Sequence, residues 1–113
     1  MAVSTIPNYV QRDGVGHGAV YNGRITSETL RWYRINSNLY FIWAVFKTVY
    51  QMGKDGVIAT GFQGSSSGAS PLILGTPINL YVNTNGELCL GEAINANVWV
   101  TACGMYEVYN PNF

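Results

Sequence analysis

The segment INLYVNTNGELCLGEAINANVWVTACGMYEV, residues 78–108, alternates apolar and polar side chains, turns at Asn85-Gly86, and alternates again up to an aromatic-rich end. A period of two interrupted by Asn-Gly is the strongest short-range signature of an antiparallel hairpin. Ile78, Leu80 and Val82 are predicted on one face of a sheet, with Asn79, Tyr81 and Asn83 on the other. Leu88 and Leu90 then continue the buried face beyond the turn.

The same grammar extends upstream. Residues 30–35 (LRWYRI) predict a short strand and Asn36-Ser37-Asn38 a turn. Residues 39–50 (LYFIWAVFKTVY) form the longest apolar run. Periodicity alone does not separate a buried helix from a buried strand there, but the Tyr, Phe, Ile, Trp, Val and Thr content favours a strand buried on both faces. A turn at residues 53–56, a strand at 57–60, a flexible loop at 61–70 (GFQGSSSGAS) and an edge strand at 72–74 follow. Beyond the hairpin come a connection at 91–96 and strands at 97–103 and 106–109.

Seven or eight short strands joined by turn residues, without a helical stripe, predict an all-β chain. The expected architecture is an antiparallel β-sandwich or barrel-like jelly roll. No fixed-period repeat is present, which excludes a solenoid or propeller. Residues 25–113 are expected to make up this β-sandwich domain. Residues 1–24 carry glycines at 14, 16, 18 and 23 without sustained periodicity, and are expected to form an extended N-terminal arm or linker.

Composition narrows function. A chain of 113 residues makes one domain with an ordinary core. Only 11% of it is charged while 13% is aromatic, so it has little charge with which to cover its own surface. Part of that surface is therefore expected to be hidden in an oligomer, and part to present aromatics and amides for binding. Six basic and six acidic residues cancel, and Arg31 with Arg34 is the nearest approach to a basic cluster, which argues against nucleic acid. No apolar run is long enough to span a bilayer, and no basic-then-apolar leader opens the sequence; a soluble chain without a secretion signal or membrane partner is expected.

Cys89 and Cys103 are too few for a disulfide framework. If residues 87–90 paired with 97–103, Cys89 would face about Trp99 and Cys103 would lie several residues away. Both are expected to be free thiols acting as small buried hydrophobes.

Catalytic chemistry finds little support. Gly64-Ser65-Ser66-Ser67-Gly68 matches a nucleophile-elbow pattern, but that chemistry needs a strand-to-helix turn and a nearby base. His17 is the sole histidine and has no second ligand at metal spacing, leaving it a hydrogen-bonding role at most. The acids Glu28, Glu87, Glu92 and Glu107 are scattered. No catalytic residue, metal set or cofactor is expected. Saccharide recognition fits better, because sugars stack their C–H faces on aromatic rings and bond their hydroxyls to amides and carboxylates. Trp32, Tyr33, Tyr40, Trp43, Tyr81, Trp99 and Tyr106 offer rings, while Asn79, Asn83, Asn95 and Asn97 offer amides. Within LRWYRI only one of Trp32 and Tyr33 can face inward. Tyr81, between the core-facing Leu80 and Val82, is the best candidate for an exposed ring.

Over roughly residues 28–109 the chain resembles the C-terminal head domain of phage receptor-binding proteins, the lactococcal type of tail-tip or baseplate protein. Three features carry the likeness. They are a W-x-R strand turning over Asn/Ser into an apolar strand (LRWYRINSNLYFIWAVF), a Gly-rich excursion ending in Pro, and INLYVNTNGELCL followed by NVWVTACGMYEV. The resemblance implies a homotrimer about a threefold axis, joined through its N-terminal side to other tail or baseplate proteins. It also implies binding of a host cell-wall saccharide without cleavage, in the tail tip of a virion assembled in the host cytoplasm. Weak sites suffice in that setting, since many heads bind together. With Gly86 set on the family's turn glycine, the sugar-binding His-x-Asp pair falls on Asn79 and Tyr81, and a Trp beyond the turn falls on Leu90; none of the three residue types is retained. Asn79 and Tyr81 are expected to form a polar–aromatic site in the same cleft, with Asn83, Trp32, Tyr33 and His17 as further contacts. The alternatives are a structural trimerisation or decoration domain of a tail fibre, a stand-alone lectin-like module, and a small carbohydrate-active enzyme with acids about 5–9 Å apart.

Overall fold

The computed structural model describes residues 15–66 and 72–108. Alternating side chains there become nine strands: β1 (Val15–His17), β2 (Ala19–Val20), β3 (Ile25–Arg34), β4 (Leu39–Thr48), β5 (Val57–Thr60), β6 (Gly75–Thr76), β7 (Leu80–Val82), β8 (Leu88–Leu90) and β9 (Trp99–Glu107). They form a five-stranded sheet in the order β1-β3-β4-β9-β6 and a four-stranded sheet in the order β2-β5-β8-β7. Every strand pairing is antiparallel. The protein is an all-β sandwich, as its turn-punctuated sequence predicts.

Residues of alternate parity fill the space between the sheets. Tyr40, Ile42, Ala44 and Phe46 of β4 and Val100, Ala102 and Tyr106 of β9 are buried, and they meet Ile58, Leu80, Val82, Leu88 and Leu90 from the other sheet. The hairpin follows its sequence closely. Leu80 pairs with Leu90 and Val82 with Leu88, while Gly86 takes φ +78°, a conformation that glycine adopts at little cost. The other face of β4 is not buried: Trp43 is 47% exposed and Leu39, Phe41, Val45 and Lys47 are partly so. The run read as doubly buried therefore has one dry face and one that is largely open.

Several boundaries differ from the sequence reading, each for a local reason. β3 begins five residues before Leu30, because the ladder to β4 slips by one residue between Thr26 and Thr29, where Ser27 sits at φ +54°. Such a bulge reverses the phase of alternation, so Ile25 and Leu30 both face inward despite their odd spacing. β9 runs unbroken through Gly104, where the Ile73 backbone passes within van der Waals distance of the position a Cβ would take. The edge strand expected at 72–74 is only a bridge from Ile73 to Leu80, and the regular pairing lies at Gly75–Thr76.

The N-terminal expectation is corrected for residues 15–20; residues 1–14 lie outside the described residues. Val15–His17 pairs with β3, and after Gly18 the chain crosses to the other sheet, where Ala19–Val20 pairs with β5. The glycines that read as breakers permit close approach instead: Gly16 lies against the Trp32 indole and Gly18 against the Phe62 ring. The hairpin imagined between 87–90 and 97–103 is also absent. β8 pairs with β5 and β7, while β9 crosses to the other sheet and pairs with β4 and β6. Both cysteines are free as expected, but only Cys89 is buried; Cys103 is exposed.

Residues 61–66, expected to be flexible, form a strap across the hairpin tip; residues 67–70 of that loop lie outside the described residues. The Phe62 amide donates to Gly86 O at 3.1 Å and the Ser65 amide to Asn83 O at 3.1 Å, while Ser65 bridges to Val108. Phe62 and Ser65 are consequently buried.

Candidate functional site

Asn79, Tyr81 and Asn83 share the outer face of the four-stranded sheet, as alternation along β7 requires. Their side chains do different work. Tyr81 is half-buried, and its hydroxyl donates to Asp55 Oδ1 at 2.7 Å. Asp55 reaches it from the turn at residues 53–56, where it adopts φ +69° and its amide donates to Leu90 O at 2.8 Å. Asn79 Oδ1 accepts from the Gly75 amide at 3.0 Å, which ties β6 to the start of β7.

Asn83 is consumed by the turn. Its Oδ1 accepts from the amides of Asn85 (2.9 Å) and Glu87 (3.0 Å), and its Nδ2 donates to Glu87 Oε1 at 2.7 Å. This is an Asx-type arrangement, in which the side chain replaces a backbone acceptor. Beneath Tyr81 lies Cys89, its cross-strand partner, whose thiol donates to Glu87 O at 3.5 Å. Burial pushes that thiol's pKa up, so it is neutral and inert near pH 7.

The remaining expected residues lie across the sandwich. His17 and Tyr33 are on the outer face of the five-stranded sheet, where His17 pairs with Arg31 and the Tyr33 ring stands 6.1 Å from Phe41. Trp32 is the inward member of its pair, packed on the core with its ring 5.3 Å from Tyr40. Its indole N–H is buried, and the ring is only partly exposed. The six residues therefore do not converge. Asn79 and Tyr81 are brought together, Asp55 joins them, and His17 and Tyr33 belong to a separate surface.

Asp55 escapes sequence reading because it lies 26 residues from Tyr81. The only local signal is an acid inside Gly-Lys-Asp-Gly, which marks a turn but not where it docks. Trp43 and Trp99, 47% and 53% exposed on the five-stranded sheet, are among the other rings left open in the described residues, with Tyr50 and Tyr21.

The elbow-like serine is structural. Ser66 Oγ donates to Glu107 Oε1 at 3.3 Å, and its amide to Glu107 O at 3.0 Å. It sits in a strap where an elbow would need a strand-to-helix turn. Among the described residues no three His, Cys, Asp or Glu side chains group at metal-binding distance. No protein-family model, curated protein or solved structure matches the chain.

The tyrosines give the molecule an alkaline limit. The hydrogen bond to Asp55, and then burial, raise the Tyr81 pKa; burial raises those of Tyr106 and Tyr40. Each group, like Cys89, ionises in the unfolded chain at a lower pH than in the folded one. Their contribution is complete below the unfolded values, about 8.5 for Cys and 10 for Tyr, and is lost as pH rises from there toward the folded values. Urea midpoints should hold level to about pH 8.5 and fall beyond it, with Tyr106→Phe softening the part above about pH 10. A midpoint unchanged through that range would reject this linkage.

Proposed function

We propose that the chain is a non-catalytic receptor-binding head, of the phage tail-tip kind that its sequence resembles, and that it recognises a host-surface saccharide. One observation carries the reading: the Tyr81 hydroxyl is bonded to the Asp55 carboxylate on a regular sheet face that Asn79, two residues back along the chain, shares. An aromatic plate beside a carboxylate and an amide matches the chemistry of a sugar ring, whose apolar face stacks while its hydroxyls donate and accept. In this reading the head acts as a homotrimer, joined through its N-terminal side to other tail proteins. Modest affinity at each site is multiplied by simultaneous binding.

The test is adhesion of the folded protein to host cells, with non-host cells as control. Tyr81→Ala should weaken adhesion per site by about tenfold, the scale of one lost stacked ring. Asp55→Asn, which removes the charge but keeps an acceptor for the Tyr81 hydroxyl, should weaken it less. A folded Tyr81→Ala protein that adheres like the parent removes Tyr81 from the site. A parent protein with no host-dependent adhesion points to the structural alternative, a decoration domain, which the open apolar face of the five-stranded sheet favours.

A further inference from the structure

We infer that the outer face of the five-stranded sheet is a two-fold contact surface, on which a second copy of this chain packs face to face. Strand parity puts Tyr33, Phe41, Trp43, Val45, Trp99 and Met105 on this one face. Trp43, Trp99 and Met105 are 47%, 53% and 54% exposed. Outward-facing residues of a lone sandwich are ordinarily polar; here the centre of β4 is aromatic and aliphatic, flanked by Thr29 and Arg31 on β3 and by Thr101 and Cys103 on β9.

Size and charge both favour a second copy. β3, β4 and β9 are ten, ten and nine residues long. With the short edges of β1 and β6 they present roughly 20 by 30 Å, about 600 Å² a copy in projection. That reaches the lower end of stable interfaces, about 600–1,000 Å² per partner, and stands at the upper end of what monomers leave open, about 300–600 Å².

The charges are arranged end to end. Lys47 lies opposite Trp99 at one end of the β4–β9 pair, and Glu107 opposite Leu39 at the other; neither forms an ion pair among the described residues. A two-fold axis crossing the strands at their midpoint sets each Glu107 over the other copy's Trp99, beside its Lys47. An axis along the strands would leave both charges facing apolar residues. The first arrangement puts Cys103, the middle residue of β9, close to its own symmetry mate, and with it Trp43, Arg31 and His17 of the same cross-strand row over theirs, so that one Arg31–Arg31 contact stands against two Glu107–Lys47 pairs.

Cys103 is thus a built-in reporter, because it is exposed in one copy whereas Cys89 is buried. In the full chain, a short bismaleimide should join two copies into a covalent dimer. That product should persist in Cys89→Ser and vanish in Cys103→Ser. Glu107→Lys alone, and Lys47→Glu alone, should each weaken self-association by about tenfold through like-charge contact, and the double exchange should restore it. Both positions are on the surface, and circular dichroism is the check that the variants fold.

Mass by light scattering separates this inference from the trimeric reading above. Twice 12.4 kDa supports the two-fold face and overturns the trimer, and six times 12.4 kDa supports both. A trimer or monomer with a freely reactive Cys103 and no cross-link overturns the two-fold face; a saccharide platform on these rings would give that result.

Discussion

Gly86→Ala is expected to lower the urea midpoint severely, while Gly53→Ala, also in a turn, leaves it essentially unchanged. At Gly86 a Cβ would fall on the Phe62 carbonyl oxygen, which belongs to backbone and cannot rotate away. The strap at residues 61–66 would have to lift from the hairpin, breaking the Phe62–Gly86 hydrogen bond and threatening the one between Ser65 and Asn83. Overpacking of this kind typically costs about 1–3 kcal/mol. The left-handed φ of +78° adds roughly 1–2 kcal/mol for an L side chain. Against a total stability of about 5–15 kcal/mol, such a loss leaves a marginal fold. Gly53 has nothing within 4 Å of its would-be Cβ and no positive φ, so alanine meets neither penalty there. Equal midpoints for the two variants would mean that the strap is not held against the hairpin.

The hairpin and β4 were legible because their information is local. Leu80, Val82, Leu88 and Leu90 mark one face, and Gly86 marks the turn that only glycine makes cheaply. What escaped was set at a distance or hidden by a phase change. β9 pairs with β4, so Thr101 meets Val45 across 56 residues, and no neighbouring sequence announces that partner over β8. The bulge at Ser27 masks the first half of β3, since alternation read from Leu30 backward predicts the wrong face for Ile25. Glycines 16 and 18 look like breakers until Trp32 and Phe62 are seen lying against them.

The site divides in the same way. That Tyr81 faces outward follows from Leu80 and Val82 alone, but its bond to Asp55 depends on how a distant turn docks. Asn83 carried a readable signal: an Asn opening Asn-Thr-Asn-Gly is placed to cap its own turn, which removes its amide from ligand binding. The low charge of the chain raised the expectation of a covered or binding surface; what the register of β3, β4 and β9 adds is that the exposed Trp43, Trp99 and Met105 share one face.

Thr48→Val should destabilise the fold by about 1–3 kcal/mol although it preserves shape, because it strands the part-buried Val98 amide and removes a second hydrogen bond. Thr48 ends β4, is 1% exposed, and looks from its sequence context like one more strand residue. Its hydroxyl donates to Asn95 O at 2.7 Å and accepts from the Val98 amide at 2.9 Å. Its own amide and carbonyl also reach this segment, at Val98 O (2.9 Å) and Asn97 N (2.8 Å). One residue thus fastens the 95–98 turn, where Asn97 sits at φ +61°, to the strand on which β9 begins its pairing. Valine would remove both side-chain hydrogen bonds. Asn95 is exposed, so its carbonyl can turn to water, whereas the part-buried Val98 amide is less open to such a replacement. Thr48→Ser separates the causes: it keeps the hydroxyl and deletes one methyl group, worth about 1 kcal/mol at most. Urea midpoints in the order parent, Ser, Val are expected, and hydrogen exchange at the Val98 amide should quicken in the valine variant. A valine variant more stable than the serine one would show that packing, not the buried hydroxyl, holds the turn.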